Sequence, residues 1–278
     1  MMELANAAAL SPFYYQRLFA RLVKKPIREY IKLRRLAKAS EALRNGKDKI
    51  LDVATQYGFS NHDVFSRAFK DTFGVTPTQY RESEVQLNNF VKPNLLLNYV
   101  MIDLGVPLVS DGLVLEINRV TLEQPINFIG IQDYAVIDEK FPNGEVTGVC
   151  QLGEIWRRFH QIESTIPALP NGRKIGVVFR GDAPAGCFTY FVGAETESVD
   201  TGKNLKVWTL PATEYLVVGF EAETFDELVA TALNKAVKYS LEWQKKKNMK
   251  FADFGAEIYY SETEQGVAYM EMWSPWLE

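Results

Sequence analysis

Glu3–Phe19 reads ELANAAALSPFYYQRLF, and Asp52–Phe69 reads DVATQYGFSNHDVFSRAF. The two stretches share a skeleton of Ala5/Ala54, Ser11/Ser60, Arg17/Arg67 and Phe19/Phe69, with one extra residue between Ser and Arg in the second. Each spells a short helix, a turn of small residues, a Ser or Asn start signal, and an amphipathic helix that closes on Arg-x-Phe. Two such helix–turn–helix units in one small domain can place two helices in successive major-groove segments of DNA.

In the first copy Ser11 is an N-cap and Pro12 occupies the first helical position, where its missing N–H is harmless. Tyr15, Leu18, Phe19 and Leu22 form an apolar stripe at i, i+3, i+4, i+7. Phe13, Tyr14, Gln16, Arg17, Arg21 and Lys24 then face outward. Gln and Arg read adenine and guanine edges through paired hydrogen bonds. In the second copy Gly58 permits the turn and Ser60/Asn61 cap the helix. Phe65, Ala68, Phe69 and Phe73 face inward, leaving His62, Asp63, Ser66, Arg67 and Lys70 outside. Asp63 either accepts from cytosine N4 or serves as a capping charge. Between the copies, Pro26–Arg44 predicts a basic helix stopped by Asn45-Gly46. Its exposed Arg and Lys are solvated or touch phosphates.

The whole chain of 278 residues has room for two domains with real cores. Its net charge of −4 conceals an asymmetry: residues 1–85 carry 15 Lys+Arg against 9 Asp+Glu, and the remainder carries 16 against 26. A basic first part suits a polyanion. The acidic remainder suits a neutral or cationic ligand. No apolar run approaches the roughly 20 residues of a membrane span, and Met1–Ala9 lacks the form of a secretory signal. Two scattered cysteines, Cys150 and Cys187, and two histidines, His62 and His160, make no metal site; a reduced cytoplasmic protein is the expectation.

Residues 3–82 resemble the DNA-binding domain of the AraC/XylS family of bacterial transcription regulators. The resemblance is carried by Gly58-Phe59-Ser60, Phe65-Ser66-Arg67-Ala68-Phe69-Lys70, Phe73-Gly74-Val75-Thr76-Pro77 and Tyr80-Arg81. It implies base-reading positions at Phe13, Gln16 and Arg17 in the first recognition helix. In the second it implies His62, Asp63, Ser66 and Arg67. The family domain opens with a further helix ahead of the first helix–turn–helix, and this sequence starts at the scaffold helix. The expectation is a less stable first subdomain and weakened DNA binding.

Residues 85–116 are too apolar for a free linker and read as a partly packed connector. From residue 117 to 278 strands alternate with helices in a faint internal repeat. Thr121–Pro125 leads to Phe128-Ile129-Gly130-Ile131, as Thr209–Thr213 leads to Val217-Val218-Gly219-Phe220. The helices Leu152–Glu163 and Phe225–Lys246 each precede two further strands. The fold class is therefore multidomain: an all-α N-terminal domain (1–84) with two helix–turn–helix units, then an α+β domain of duplicated strand–helix–strand units with helices on one side. In the last strands Met270 and Met272 point one way, and Tyr269, Glu271 and Trp273 the other. Glu257 and Tyr259 share a face, with Tyr190 and Tyr215 as further strand aromatics. A carboxylate among aromatic rings receives a cation; ordinary core aromatics beside a surface Glu are the alternative.

This second domain resembles the GyrI-like effector-binding family through its duplicated architecture, the Thr-Leu-Pro-Ala…Val-Val-Gly-Phe stretch, and Glu271-Met272-Trp273-Ser274-Pro275 at the end. The resemblance implies a site for small, often cationic and hydrophobic molecules between the two halves. It carries over first to Glu271 with Trp273, then to Glu257 with Tyr259, and to Trp156 and Tyr190. Together the two resemblances imply a transcription regulator controlled by a small effector, acting on promoter DNA and through RNA polymerase, as monomer or dimer, with no cofactor. A GyrI-like hydrolase or a ligand-sequestering protein is the alternative. Since the chain has no Ser-His-Asp set, no metal cluster and no P-loop, no catalytic residue is assigned.

Overall fold

The computed structural model describes residues 2–83, 85–95, 100–110, 113–136, 147–197, 205–260 and 268–278. They divide into two compact units: Met1–Leu95 with Glu145–Val149, and Leu96–Gly144 with Cys150–Glu278. The connector stretch of residues 85–116 is thus shared between them.

In the first unit α1 (Met2–Ala7) and α2 (Pro12–Val23) form one helix–turn–helix, and α4 (Ile50–Gln56) and α5 (His62–Phe73) form the other. The long α3 (Ile27–Asn45) separates the pairs and α6 (Pro77–Glu82) follows them. Caps fix where the helices start. Ser11 accepts from the Tyr14 N–H, Asn61 from the Val64 N–H, and Thr76 with Gln79 closes a capping box. The turn of the second pair uses Gly58 at φ +77°; the first places Ala9 at φ +52° in the equivalent position. The core gathers Leu36, Ala39 and Leu43 of α3, Val53 and Ala54 of α4, and Phe65, Phe69 and Phe73 of α5. Leu18 departs from the expected stripe. Tyr15, Phe19 and Leu22 are partly covered, Phe19 against Tyr30 at 5.2 Å, but Leu18 stays 46% exposed.

A strap runs from Val85 along α3. Arg44 hydrogen-bonds the Val85 carbonyl, Ser40 Oγ lies 3.0 Å from Asn89 Oδ1, and Arg34 Nη1 donates to the Phe90 carbonyl at 2.6 Å. The strap contains β1 (Leu87–Asn88), which pairs antiparallel with β5 (Gly148–Val149).

Among the described residues, the second unit is built on nine antiparallel strands. They are β2 (Leu108–Ser110), β3 (Leu113–Thr121), β4 (Ile126–Val136), β6 (Lys174–Phe179), β7 (Cys187–Glu195), β8 (Lys206–Leu210), β9 (Glu214–Ala222), β10 (Phe254–Tyr259) and β11 (Ala268–Pro275). Their order is β2-β3-β9-β11-β10-β6-β7-β4-β8. The duplication is visible in this order: β4, β6 and β7 with α7 (Gln151–Ile162) mirror β9, β10 and β11 with the second helix. That helix runs through α8 (Phe225–Glu227), a π-helical turn (Leu228–Ala232) and α9 (Leu233–Lys246). The halves meet where β6 pairs with β10, Ile175 opposite Ile258. Each half also gives its leading strand to the other, β3 to β9 and β8 to β4. One sheet face packs under both helices. Beneath α9 lie Leu115, Val218, Phe220 and Met270, and beneath α7 lie Tyr190, Val192 and Ala194. The other face closes on Phe128, Val177, Phe191, Tyr215, Val217, Ile258 and Trp273.

Candidate functional site

In the first unit both recognition helices present their candidate residues outward. Phe13, Gln16 and Arg17 are exposed on α2, with the Arg17 guanidinium 5.5 Å from the centre of the Phe13 ring. On α5, His62, Asp63 and Arg67 are exposed and Ser66 is partly so. His62 Nδ1 lies 3.4 Å from Asp63 Oδ1, and its Nε2 lies 3.4 Å from Ser66 Oγ. Gln, Arg, His and Ser on exposed helix faces are hydrogen-bonding groups for base edges. Not every basic residue of this unit is free for such work, since Arg34 is engaged by the strap and Arg35 Nη1 donates to the Gly58 carbonyl at 3.2 Å.

In the second unit the six candidate residues separate into two groups on opposite faces of the sheet. Glu257 pairs in register with Met272, and Ile258 with Glu271. Paired residues share a face and successive residues alternate, so Glu257 and Glu271 point apart.

Glu271 lies on the face away from the helices. Its Oε2 accepts from Tyr260 (2.6 Å) and from Trp273 Nε1 (2.8 Å), and its Oε1 accepts from Tyr269 (2.7 Å). Burial and the neighbouring carboxylate raise the phenol pKa of Tyr260 and Tyr269, so both stay donors. Three fixed donors already satisfy this charge.

Glu257 lies on the helix face of the central strand β10. Tyr190 and Tyr259 both donate to its Oε2 at 2.8 Å, and Trp156 Nε1 from α7 donates to the Tyr190 oxygen at 3.0 Å. Among the described residues nothing donates to Oε1. Protein encloses the carboxylate on most sides while its rim stays partly open. Loss of water pushes its pKa up, against the smaller opposing pull of the two tyrosine hydrogen bonds. Burial and the Glu257 charge hold Tyr190 and Tyr259 well above the ordinary phenol value, so they remain donors. Trp156 meets Tyr259 edge-on at 4.9 Å and stacks on His160 at 5.6 Å.

Two residues of this site, and the cap of the helix that walls it, escaped the sequence reading. Phe225, the first residue of α8, is 56% exposed, with its ring 6.3 Å from Tyr259. Gly176 on β6 leaves the space in which the Tyr190–Glu257 hydrogen bond forms. A Cβ there would collide with the Tyr190 hydroxyl and lie 2.8 Å from Glu257 Oε2. Cys150 caps α7, its Sγ accepting from the Gly153 N–H at 3.3 Å, and burial raises its thiol pKa. Phe225 was legible as an aromatic at a Thr-capped helix start; Gly176 and Cys150 acquire their roles only from cross-strand register and helix placement.

Residues 127–275 match the family model of the integron-associated effector binding protein. The chain belongs to the integron-associated effector binding protein family. Its effector-binding domain is preceded by a helix-turn-helix domain of the AraC type, matched over residues 4–83. The TetD protein of transposon Tn10 from Escherichia coli is 40% identical over 83 residues, which are 30% of this chain and 60% of that protein. The transcriptional regulator Rob of Salmonella typhimurium is 39% identical over 95 residues, 34% of this chain and 33% of that one. The chain thus spans less than two thirds of the length of either relative. Among solved structures, an integron cassette protein from the mobile metagenome of Vibrio cholerae aligns with a TM-score of 0.38 and 12% identity, over 58% of this chain and 95% of that one. No helix among the described residues is long and apolar enough to cross a membrane.

Proposed function

We propose that the protein regulates transcription in the cytoplasm by reading promoter DNA through α2 and α5, under the control of a lipophilic cation held at Glu257. The observation that carries the effector reading is the unshared Oε1 of a poorly hydrated carboxylate, walled by Tyr190, Tyr259, Trp156 and Phe225. A buried anion with spare acceptor capacity and aromatic faces around it attracts a positive charge on an apolar body. A small polar cation would give up more hydration than this site returns. Two reading helices in one chain suffice for binding as a monomer, and RNA polymerase is the machinery on which such a regulator acts. Glu271 and Trp273 take no direct part in ligand capture in this reading.

The test is a tryptophan fluorescence titration with quaternary ammonium and phosphonium ions, on the wild type and on Glu257→Gln. Trp156 stands in the site as reporter. Saturable quenching that Glu257→Gln weakens at least tenfold, about 1.4 kcal/mol, supports the site, provided the ligand is recovered unchanged. Equal response in both proteins would remove Glu257 as the receptor, and turnover of the ligand would replace the sensor with an enzyme.

A further inference from the structure

The first unit contains a strand that the chain supplies from far away in sequence. Gly148 and Val149 pair with Asn88 and Leu87, and the strand they form packs beside α5, the second reading helix. Leu87 itself packs on the core that holds Phe65, Phe69 and Phe73 of α5. The strap carrying Leu87 is pinned to α3 by Arg44, Ser40 and Arg34. Strand β5 therefore pairs with a segment that is itself hydrogen-bonded to α3.

The next residue is Cys150, the N-cap of α7. Gln151 opens that helix and accepts from the Val136 N–H through its side chain at 3.0 Å. Trp156 follows within the next two turns and reaches Tyr190 and Tyr259 at the Glu257 site. One residue separates the last ladder position of the DNA-reading unit from the first residue of the helix that walls the effector site. A helix transmits an axial shift along its length, and one intervening residue leaves only its own φ and ψ to take it up.

We infer that the Val149–Cys150 junction is the mechanical coupling of this regulator: ligand contact at Trp156 moves α7, and α7 moves β5 against β1 and α5. This rests on the effector reading proposed above and adds the route by which occupancy reaches the DNA reader. The route needs a displacement of α7, since a ligand shifts an equilibrium only through a state it binds better.

The experiment inserts Gly-Gly between Val149 and Cys150 in the full chain. DNA is a duplex that the wild-type protein selects from a random pool, and the ligand is tetraphenylphosphonium, a permanent aromatic cation. Both affinities are measured separately, and DNA affinity is then measured with saturating cation. The expected result is that each separate affinity stays within twofold of wild type while the cation's effect on DNA affinity, fivefold or more in the wild type, vanishes. An unchanged effect in the insertion variant would overturn the coupling. A wild type that binds the cation with no effect on DNA affinity would instead sink the regulatory reading, and one that binds no cation the effector site itself. Should the insertion impair folding, amide exchange in the wild type decides. Protection at Leu87–Asn88 and Gly148–Val149 must change on adding the cation while the centre of α3 does not; unchanged ladder protection would overturn the proposal.

Discussion

Glu257 and Glu271 occupy neighbouring strands in different surroundings. Glu271 faces three donors, so its replacement by Gln turns an acceptor into a partial donor and leaves a Tyr or Trp proton unpaired. The expected outcome for Glu271→Gln is a loss of about 2 kcal/mol in stability, read by denaturant unfolding, with cation affinity within about twofold of wild type. Glu257 carries a raised pKa, so cation capture at the proposed site should depend on pH. Affinity should climb as pH rises from the ordinary glutamate value of 4.5 through the raised one, then level off once the carboxylate is ionised. Folding stability follows the opposite course. The native state holds this proton more firmly than the unfolded chain does, so the Glu257 contribution is present below 4.5 and is lost as pH rises through the raised pKa. Glu257→Gln should flatten both dependences in that window, and a wild-type-like pH profile in the variant would exclude Glu257 as their source. The titratable groups around it are Tyr259 on β10 and Tyr190 on β7, both bonded to Glu257, with Cys150 at the start of α7 and His160 against Trp156. His160 stacks on Trp156 of the site, so its contribution is separated by His160→Gln.

At the scale of the element, what was legible in the sequence was what is local. Ser11 and Asn61 cap, Gly58 turns, and the phenylalanines of α5 repeat at helical spacing, so the two helix–turn–helix units could be placed from neighbours a few residues apart. Leu18 fits the same spacing but remains exposed, because periodicity states which side of a helix is apolar and not how far the neighbouring helices cover it. Alternation along β11 correctly separated Met270 and Met272 from Glu271, while the relation of Glu271 to Glu257 depends on cross-strand register, which no single strand contains. The site consequently reads in the sequence as one cluster and in the structure as two. A difference between the paired turns gives a further expectation. Ala9 adopts the left-handed conformation that Gly58 provides in the other copy, at an expense of about 1 kcal/mol for a residue with a Cβ. Ala9→Gly should raise the stability of the first unit by roughly that amount, measured as a shift in its unfolding midpoint, and should strengthen DNA binding if the strained turn limits α2. No gain in stability would mean that the turn is relaxed by other means.

Over the whole molecule, charge is divided in the sense that the proposed functions require. The basic first part and the acidic remainder, +6 and −10 by residues 1–85 and 86–278, suit a polyanion and a cation respectively. DNA binding should therefore depend steeply on salt. For about six phosphate contacts, raising salt from 50 to 200 mM should weaken binding about a thousandfold, while cation binding at the enclosed Glu257 site should change far less. A shallow salt dependence of DNA binding would argue against two engaged helices.

The exchange of leading strands between the halves of the sheet has a consequence during synthesis. Strand β3 leaves the ribosome long before its partner, since Leu115 pairs with Phe220 roughly a hundred residues later. At bacterial elongation rates that interval is about 5 to 20 s. Throughout it the nascent chain displays an unpaired apolar edge of the kind that recruits other strands. The effector-binding unit is thus expected to fold only after its final strands emerge, and to be the part of the protein most reliant on chaperones.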